Sequence, residues 1–185
     1  MTYNVAGLPE GISGSHPATN TPIMSPLLNQ FDLVLVQEDF QYHAQLAASA
    51  AHPYQSEPSP PASFGLEVGD GLNTFSRIPF ANFTRVTWSS CHGVYDDGSD
   101  CLAPKGFTIA TFELAPGVAL DVYDLHTDAG RSDDDDDARR AQVNQLLAYI
   151  AARGPDRAIL VAGDTNMKDG DEPVLQRLLD EAGLS

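Results

Sequence analysis

A carboxylate and an amide follow directly after a short apolar run late in the sequence. Ile159 to Ala162 has the pattern of a strand buried on both faces, and Gly163 ends it before Asp164 and Asn166. Residues two apart in an extended chain point the same way, so we expect both side chains on one face. An acceptor-only carboxylate beside a donating amide suits a metal-bound phosphate and its attacking water. A strand followed by an Asx turn explains the same residues without chemistry.

Polar groups also end other apolar segments of the chain. Asn4 lies in the first strand-like segment, Glu38 follows the run from Leu33 to Val36, and His126 ends the run that begins at Val122. Each of these residues alone is weak evidence, because a single histidine at a strand end is more often structural. Together, four strands that carry Asn, Glu, His and the Asp/Asn pair to one rim would form a magnesium phosphoesterase site. Mg²⁺ prefers oxygen ligands and keeps several waters, so one carboxylate with substrate oxygens suffices.

These residues must be positioned by elements that alternate between helix and strand. We predict helices over Ile23–Phe31, Gln41–Ala51, from Ala138 onward, and over Glu172–Ala182. Strands are predicted at Thr2–Val5, Leu33–Val36, Leu72–Arg77, Phe83–Trp88 and Ile159–Ala162, with a hairpin of Gly106–Leu114 and Val118–Leu125. Residues 13–22 and the long segment 54–71, both rich in Gly and Pro, are predicted to be loops. This order indicates a layered α/β or α+β fold.

Composition limits the classes of partner. A chain of 185 residues is expected to form one domain with a substantial core. Its 26 acidic and 10 basic residues give a net charge of −16, which disfavours indiscriminate binding to polyanions such as nucleic acid. A nuclease remains compatible, because a cation can bridge an acidic site and a phosphate. No apolar run reaches the ~18 residues that a transmembrane helix requires.

The run from Ser132 to Asp137 precedes a predicted helix. Acidic side chains favour the positive end of a helix dipole, and this explanation is preferred to a calcium site.

Two cysteines, Cys91 and Cys101, lie close together with Gly- and Asp-rich sequence between them. They are either two free thiols or a disulfide that closes a surface loop. We favour the disulfide, which implies an oxidising compartment.

The order of the motifs resembles that of the endonuclease/exonuclease/phosphatase superfamily. The motifs are Tyr3-Asn4-Val5, Gln37-Glu38, Leu72-Asn73-Thr74-Phe75-Ser76-Arg77, Leu125-His126-Thr127 and Gly163-Asp164-Thr165-Asn166. This superfamily contains pancreatic-type deoxyribonucleases, abasic-site endonucleases, inositol-phosphate phosphatases and neutral sphingomyelinases. The resemblance implies an α/β (α+β) fold with four layers, in which two packed mixed β-sheets are flanked by helices.

The resemblance also implies roles for the residues that match its motifs. Glu38 and Asn4 would form the metal site, in which Glu38 would hold a catalytic Mg²⁺, with Mn²⁺ or Ca²⁺ as alternatives, and Asn4 would orient phosphate or water. Asp164 would position the attacking water, Asn166 would donate to the phosphate, and His126 would bond to the phosphate or assist proton transfer. Asp70 would lie near the carboxylate that partners this histidine. The implied reaction is in-line attack of water on a phosphodiester.

One branch resembles the sequence more closely, that of bacterial neutral sphingomyelinases. The segment from Cys91 to Asp100 followed by Lys105-Gly106-Phe107 is similar to theirs, as is the helix with Arg139 and Leu146. We therefore expect a phospholipase C acting on sphingomyelin-like head groups, with Lys105 and Asn73 contacting the substrate. A secreted or periplasmic location and transient membrane contact are expected. The alternatives are an endonuclease and a metal-binding protein without turnover.

The sequence departs from the family pattern at its end. Family members carry a late strand with an Asp-His pair, whose histidine is the general base. Ser185 is reached without that motif, and the remaining histidines are His16, His43, His52 and His92. Residues 1–185 are therefore expected to form an incomplete domain. The chain is then a fragment of a longer protein, a subunit completed by a second chain, or a non-catalytic binder.

Overall fold

The computed structural model describes residues 1–60, 68–93, 100–155, 157–167 and 172–184. Within these residues the strands are β1 (Thr2–Asn4), β2 (Leu33–Gln37), β3 (Tyr54–Gln55), β4 (Asn73–Ser76), β5 (Phe80–Thr87), β6 (Gly106–Ala115), β7 (Val118–His126) and β8 (Ala158–Asp164). The helices are α1 (Pro17–Met24), α2 (His43–Ala47), α3 (Asp133–Arg153) and α4 (Glu172–Ala182), with 3₁₀ turns at Ser25–Gln30 and Asp100–Leu102.

The strands form two four-stranded sheets. The first has the order β1-β2-β4-β3 and the second the order β5-β6-β7-β8. Both sheets are mixed, because β1 pairs parallel to β2 and β7 parallel to β8, whereas the other pairs are antiparallel. Each parallel pair places its two carboxyl ends side by side. Asn4 lies opposite Gln37, and His126 lies opposite Asp164.

The core has three apolar layers that follow the strand alternation. Between the sheets, Leu35 packs with Ala110, Phe112 and Val122. On the outer face of the first sheet lie Val5, Leu28, Val34, Val36, Leu46 and Phe75. On the outer face of the second, α3 and α4 cover Trp88, Phe107, Ile109, Tyr123 and Leu125. The predicted sandwich of two sheets flanked by helices is confirmed.

The edge strand β8 differs from its prediction. Leu160 is 41% exposed, so the strand is not buried on both faces. In the described residues β8 pairs only with β7, and one of its faces is left partly open. A continuous apolar run was therefore a poor guide here, because it does not distinguish a central strand from an edge strand.

Three helical predictions also change. The helix predicted over Ile23–Phe31 is a helix ending at Met24 followed by a 3₁₀ turn, and α2 is shorter than predicted. The first helix begins at Pro17, whose fixed φ suits a first helical position. The helix predicted from Ala138 starts earlier, at Asp133, because Ser132 and Asp135 form a capping box.

The disulfide and the hairpin are confirmed. Cys91 and Cys101 are bonded, with Cα atoms 5.4 Å apart, and the intervening residues 94–99 lie outside the described residues. The β6–β7 hairpin turns at Gly117, whose φ of 78° is a conformation that favours glycine. No helix in the described ranges is both long and apolar enough to cross a membrane.

Candidate active site

Glu38 follows the last residue of β2 and leaves the sheet in a left-handed turn. Its φ is 57°, and its carbonyl oxygen accepts hydrogen bonds from the backbone of Gly7 and Phe40, each at 2.9 Å. A side chain at Gly7 would collide with this carbonyl, so glycine is required for the close approach. The turn moves the Glu38 carboxylate out of the strand and into the space above the sheet ends.

Asn4 links the carboxylates of two different sheets. Its Nδ2 donates to Glu38 Oε1 at 2.8 Å and to Asp164 Oδ2 at 2.9 Å. Its Oδ1 accepts from the backbone of Ala6 at 2.9 Å, which fixes which end of the amide faces the carboxylates. The predicted meeting of Asn4, Glu38 and Asp164 is therefore seen directly.

Asp164 and Asn166 are brought together by an Asx turn. Asp164 Oδ1 accepts from the Asn166 backbone at 3.0 Å, and Asn166 has a φ of 49°. The chain is therefore not extended here, and the argument from strand geometry does not apply. The Asn166 amide instead donates to the Thr127 carbonyl at 3.0 Å, which anchors it beside the end of β7. The Asx turn, which alone would explain these residues without chemistry, does not exclude an active site, because the turn places both side chains at the rim.

His126 lies beneath the two carboxylates. Its Nε2 is 3.9 Å from both Glu38 Oε1 and Asp164 Oδ2, and the residue is 1% exposed. Its backbone carbonyl accepts a hydrogen bond of 2.7 Å from the Trp88 indole, which fixes the end of β7. Among the described residues its Nδ1 has no hydrogen-bond partner.

Burial sets the charge states of this group. Burial, reinforced by the Lys105 cation, lowers the pKa of His126 to about 3, against the opposing effect of Asp164. The imidazole is therefore neutral at pH 7, and its contacts of 3.9 Å are not ion pairs. Burial alone would raise the pKa of Asp164, but hydrogen bonds from Asn4 and the Asn166 backbone hold it below its usual range. Asp164 is an anion.

A cleft of about 550 Å³ opens above Glu38 and His126. Most of its wall is apolar, and it includes Leu8, Pro9, Ile12, Phe40, Val68 and Leu102. Lys105 and Asp100 lie in the same wall, where the Lys105 ammonium pairs with Asp100 and donates to the Thr127 carbonyl at 3.1 Å. The cleft combines a charged floor with apolar sides.

Asn73 and Asp70 do not reach the cleft. Asn73 is 1% exposed, and its amide donates to Asp39 Oδ2 at 2.8 Å. Asp70 pairs with Arg85 at 2.6 Å rather than supporting His126. The expectation of substrate contact at Asn73 is therefore corrected to an internal role. The motif order did not reveal this, because the turn after β2 directs Asp39 inward toward Asn73.

A second acidic cluster does not include Glu38, although its member Asp100 lines the same cleft. Ligand atoms of Asp100, Asp128 and Asp135, all buried, lie within 4.8 Å of one another. Each of the six carboxylate oxygens already accepts a hydrogen bond or pairs with a cation, and the partners are Lys105, Ala129, Gln142, His92 and Ser132. Each carboxylate oxygen of this cluster therefore has a partner within the protein.

Glu38 and Asp164 fit a divalent cation better. They offer two carboxylates that converge on one amide nitrogen, their side chains are 23% and 29% exposed, and Glu38 lines the cleft. An all-oxygen set with room for water and substrate oxygens is the pattern that Mg²⁺ takes. The residues present therefore fit the ion that the sequence predicts.

Comparison with known proteins places this arrangement in a family. Residues 1–179 match the Endonuclease/Exonuclease/phosphatase family. A sphingomyelinase of Mycobacterium tuberculosis is 34% identical over 177 residues, which are 93% of this chain and 34% of that protein. The same values hold for a sphingomyelinase of Mycobacterium bovis. The chain spans about a third of the length of these relatives.

Solved structures share the fold. Sphingomyelinase C from Streptomyces griseocarneus has a TM-score of 0.75 at 21% identity, covering all of this chain and 69% of its own. A variant of beta toxin from Staphylococcus aureus with bound magnesium ions has a TM-score of 0.77 at 19% identity, with coverage of 100% and 69%. With the match across residues 1–179, the chain belongs to the endonuclease/exonuclease/phosphatase family.

Proposed function

We propose that this chain is a Mg²⁺-dependent phosphodiesterase of the phospholipase C type that acts on sphingomyelin-like lipids. The observation that carries the proposal is the Asn4 amide, which joins Glu38 and Asp164 beside a buried neutral imidazole. Relatives named sphingomyelinase at 34% identity support the choice of substrate.

Each residue has a defined task in the proposed reaction. Glu38 would hold the ion, and Asn4 would keep the Glu38 carboxylate directed at the cleft. A bound Mg²⁺ would neutralise charge on the phosphate and lower the pKa of a water molecule. Asp164, an anion, would accept a hydrogen bond from the attacking water and orient it toward phosphorus. As the new P–O bond forms, the bond between phosphorus and the lipid alcohol oxygen breaks, and the products are phosphocholine and the lipid alcohol. His126, which is neutral, hydrogen-bonds the phosphate through Nε2, and Asn166 donates to the phosphate as its charge grows.

The cleft favours a lipid over nucleic acid. Its walls are largely apolar and match a hydrophobic leaving group. The net charge of −16 repels a polyanion but not a zwitterionic head group. Lys105 lies in the wall, although its ammonium is held by Asp100. Asp100 and the Thr127 carbonyl use two of the three N–H donors of this ammonium, and the third would contact substrate oxygens.

The disulfide supports an oxidising location for the protein. The bond between Cys91 and Cys101 is of the kind that persists outside the reducing cytosol. We therefore place the protein in a secreted or periplasmic compartment, where it would meet lipid surfaces. Detection of the protein only in a cytosolic fraction, with both thiols free, would contradict this location.

A substrate panel tests the activity. The protein is incubated with sphingomyelin in mixed micelles, and separately with plasmid DNA, in the presence of Mg²⁺. We expect the wild-type protein to release phosphocholine. We expect the Asp164→Asn variant to release it at least about 100-fold more slowly. Nicking of the plasmid without phosphocholine release would identify DNA, and not lipid, as the substrate. Metal binding without hydrolysis of either substrate would indicate a metal-binding protein without turnover.

A further inference from the structure

The backbone of Glu38 is held in a conformation that its own side chain does not favour. A left-handed φ in a residue that is neither Gly, Asn nor Asp is strained and persists only when its surroundings enforce it. The Gly7 and Phe40 amides hold the Glu38 carbonyl, and the bond from Phe40 closes a three-residue turn around Asp39. The next residue, Asp39, has its own set of partners.

Asp39 is a buried carboxylate tied to two other elements. It is 4% exposed, and its Oδ2 lies 2.8 Å from Asn73 Nδ2 and 2.5 Å from His43 Nδ1. Its backbone amide donates to the Gly71 carbonyl at 3.0 Å. The carboxylate therefore joins the turn after β2 to α2 and to the start of β4.

Asn73 extends this connection to the second sheet. Its Oδ1 accepts from Arg85 Nη2 at 2.9 Å and from Ser56 Oγ at 3.1 Å. Arg85 belongs to β5 and also pairs with Asp70. Neither Asp39 nor Asn73 is among the residues that line the cleft. An interior network that avoids the cleft but ends beside Glu38 has the form of a support for that residue.

We propose that Asp39 is a positioning residue that, through Asn73 and His43, fixes the turn at Glu38 and so aims its carboxylate at the metal position. The inference rests on the proposed function in one respect, the assignment of the metal to Glu38. Supporting partners of a metal ligand typically contribute 10–100-fold to metal affinity. Asp39 thus affects metal binding without touching metal or substrate.

Mn²⁺ binding, measured by electron paramagnetic resonance on the full chain, tests this role without requiring turnover. Asp39→Ala is expected to weaken Mn²⁺ binding about 10-fold. Asp39→Asn keeps an acceptor oxygen for the Asn73 amide, so it is expected to retain most of the affinity. Asn73→Ala is expected to weaken binding in the same direction, and it replaces Asp39→Ala if that variant does not fold.

Asp121→Ala is the matched control. Asp121 is also fully buried and is paired with Arg153 and Arg157. It lies about 16 Å before His126 along β7, at ~3.3 Å per strand residue. We expect this variant to lower the melting temperature as Asp39→Ala does, while Mn²⁺ affinity stays at the wild-type value.

The outcomes separate this inference from the proposed function. Wild-type affinity in folded Asp39→Ala, or in folded Asn73→Ala, overturns the positioning role even if lipid is hydrolysed. Equal losses of affinity in Asp39→Ala and Asp121→Ala also overturn it, since they indicate a general loss of stability. Weakened Mn²⁺ binding in Asp39→Ala and Asn73→Ala, with wild-type affinity in Asp121→Ala, supports it even if no phosphodiester is cleaved. Absence of Mn²⁺ binding by the wild type overturns the inference together with the metal assignment.

Discussion

Glu38 follows a strand of one sheet and Asp164 ends a strand of the other, yet both carboxylates accept a hydrogen bond from the same nitrogen of Asn4, at 2.8 and 2.9 Å. Two anions held this close repel each other unless a donor or a cation lies between them. The amide supplies part of that compensation, and the remaining acceptor capacity is available to a divalent cation. This junction between the sheets is the basis of the functional assignment.

Removal of the shared amide should separate the two carboxylates. For Asn4→Ala we expect about 10–100-fold lower hydrolysis and a loss of about 1–3 kcal/mol in the free energy of unfolding. Kinetics at saturating Mg²⁺ and urea denaturation measure the two effects. Asn20→Ala, which removes an exposed amide bonded to the Ser15 carbonyl, is the control. Equal activity in both variants would show that Asn4 does not organise the site.

The glycine before Asp164 should be irreplaceable. Gly163 has a φ of 136°, and a Cβ at this position would overlap the Leu125 carbonyl of β7. Gly163→Ala should therefore lower the free energy of unfolding by more than about 2 kcal/mol, because both the backbone and the strand pairing must adjust. Urea denaturation measures this cost.

Gly117→Ala provides the comparison for that glycine. Gly117 also has a positive φ, of 78°, but open space lies around its Cβ position. Gly117→Ala should lower the free energy of unfolding by about 1 kcal/mol, because only the unfavourable backbone conformation contributes. A cost at Gly117 as large as that at Gly163 would mean that overlap with β7 is unimportant.

Asp124 should make stability depend on pH. Burial raises the pKa of this carboxyl well above its usual range, against the effect of a 2.6 Å hydrogen bond from Gln37. Between the unfolded pKa, about 3.9, and the raised folded pKa, the native state binds more protons than the unfolded state. Asp124 therefore lowers stability progressively as the pH rises through this window.

Asp124→Asn should remove that contribution. The stability of the variant relative to wild type should increase from pH 4 toward pH 7, by up to about 1.4 kcal/mol per pH unit. Urea denaturation across this range measures the difference, with the exposed Asp32→Asn as a control. Parallel curves for Asp124→Asn and wild type would show that the carboxyl titrates normally in the folded protein.

Sequence reasoning predicted where the strands end because polar residues after apolar runs are a local signal. Asn4, Glu38, His126 and Asp164 lie at such ends, and parallel pairing brings them together. Contacts that depend on tertiary structure were not visible. The inward turn of Asp39, the pairing of Asp70 with Arg85 and the exposure of Leu160 at a sheet edge follow from neighbours distant in the sequence.

Helix boundaries were predicted less well for a related reason. Pro17 and Ser132 are start signals, yet each lies in a stretch whose composition also suits a loop. Asn166 was placed at the rim by an extended geometry that it does not adopt, and the Asx turn brings it there instead. The pattern identified the residues, whereas the backbone that positions them required the structure.

The central claim is tested most directly by phosphocholine release from sphingomyelin, measured for wild type and Glu38→Gln with Mg²⁺ and with excess EDTA. Glutamine keeps the size of the side chain and an acceptor for the Asn4 amide but removes the negative charge. We predict that wild type releases phosphocholine only with Mg²⁺, and that Glu38→Gln is at least about 100-fold slower while remaining folded. Release that persists in EDTA, or equal rates for the two proteins, would contradict metal-assisted hydrolysis at this site.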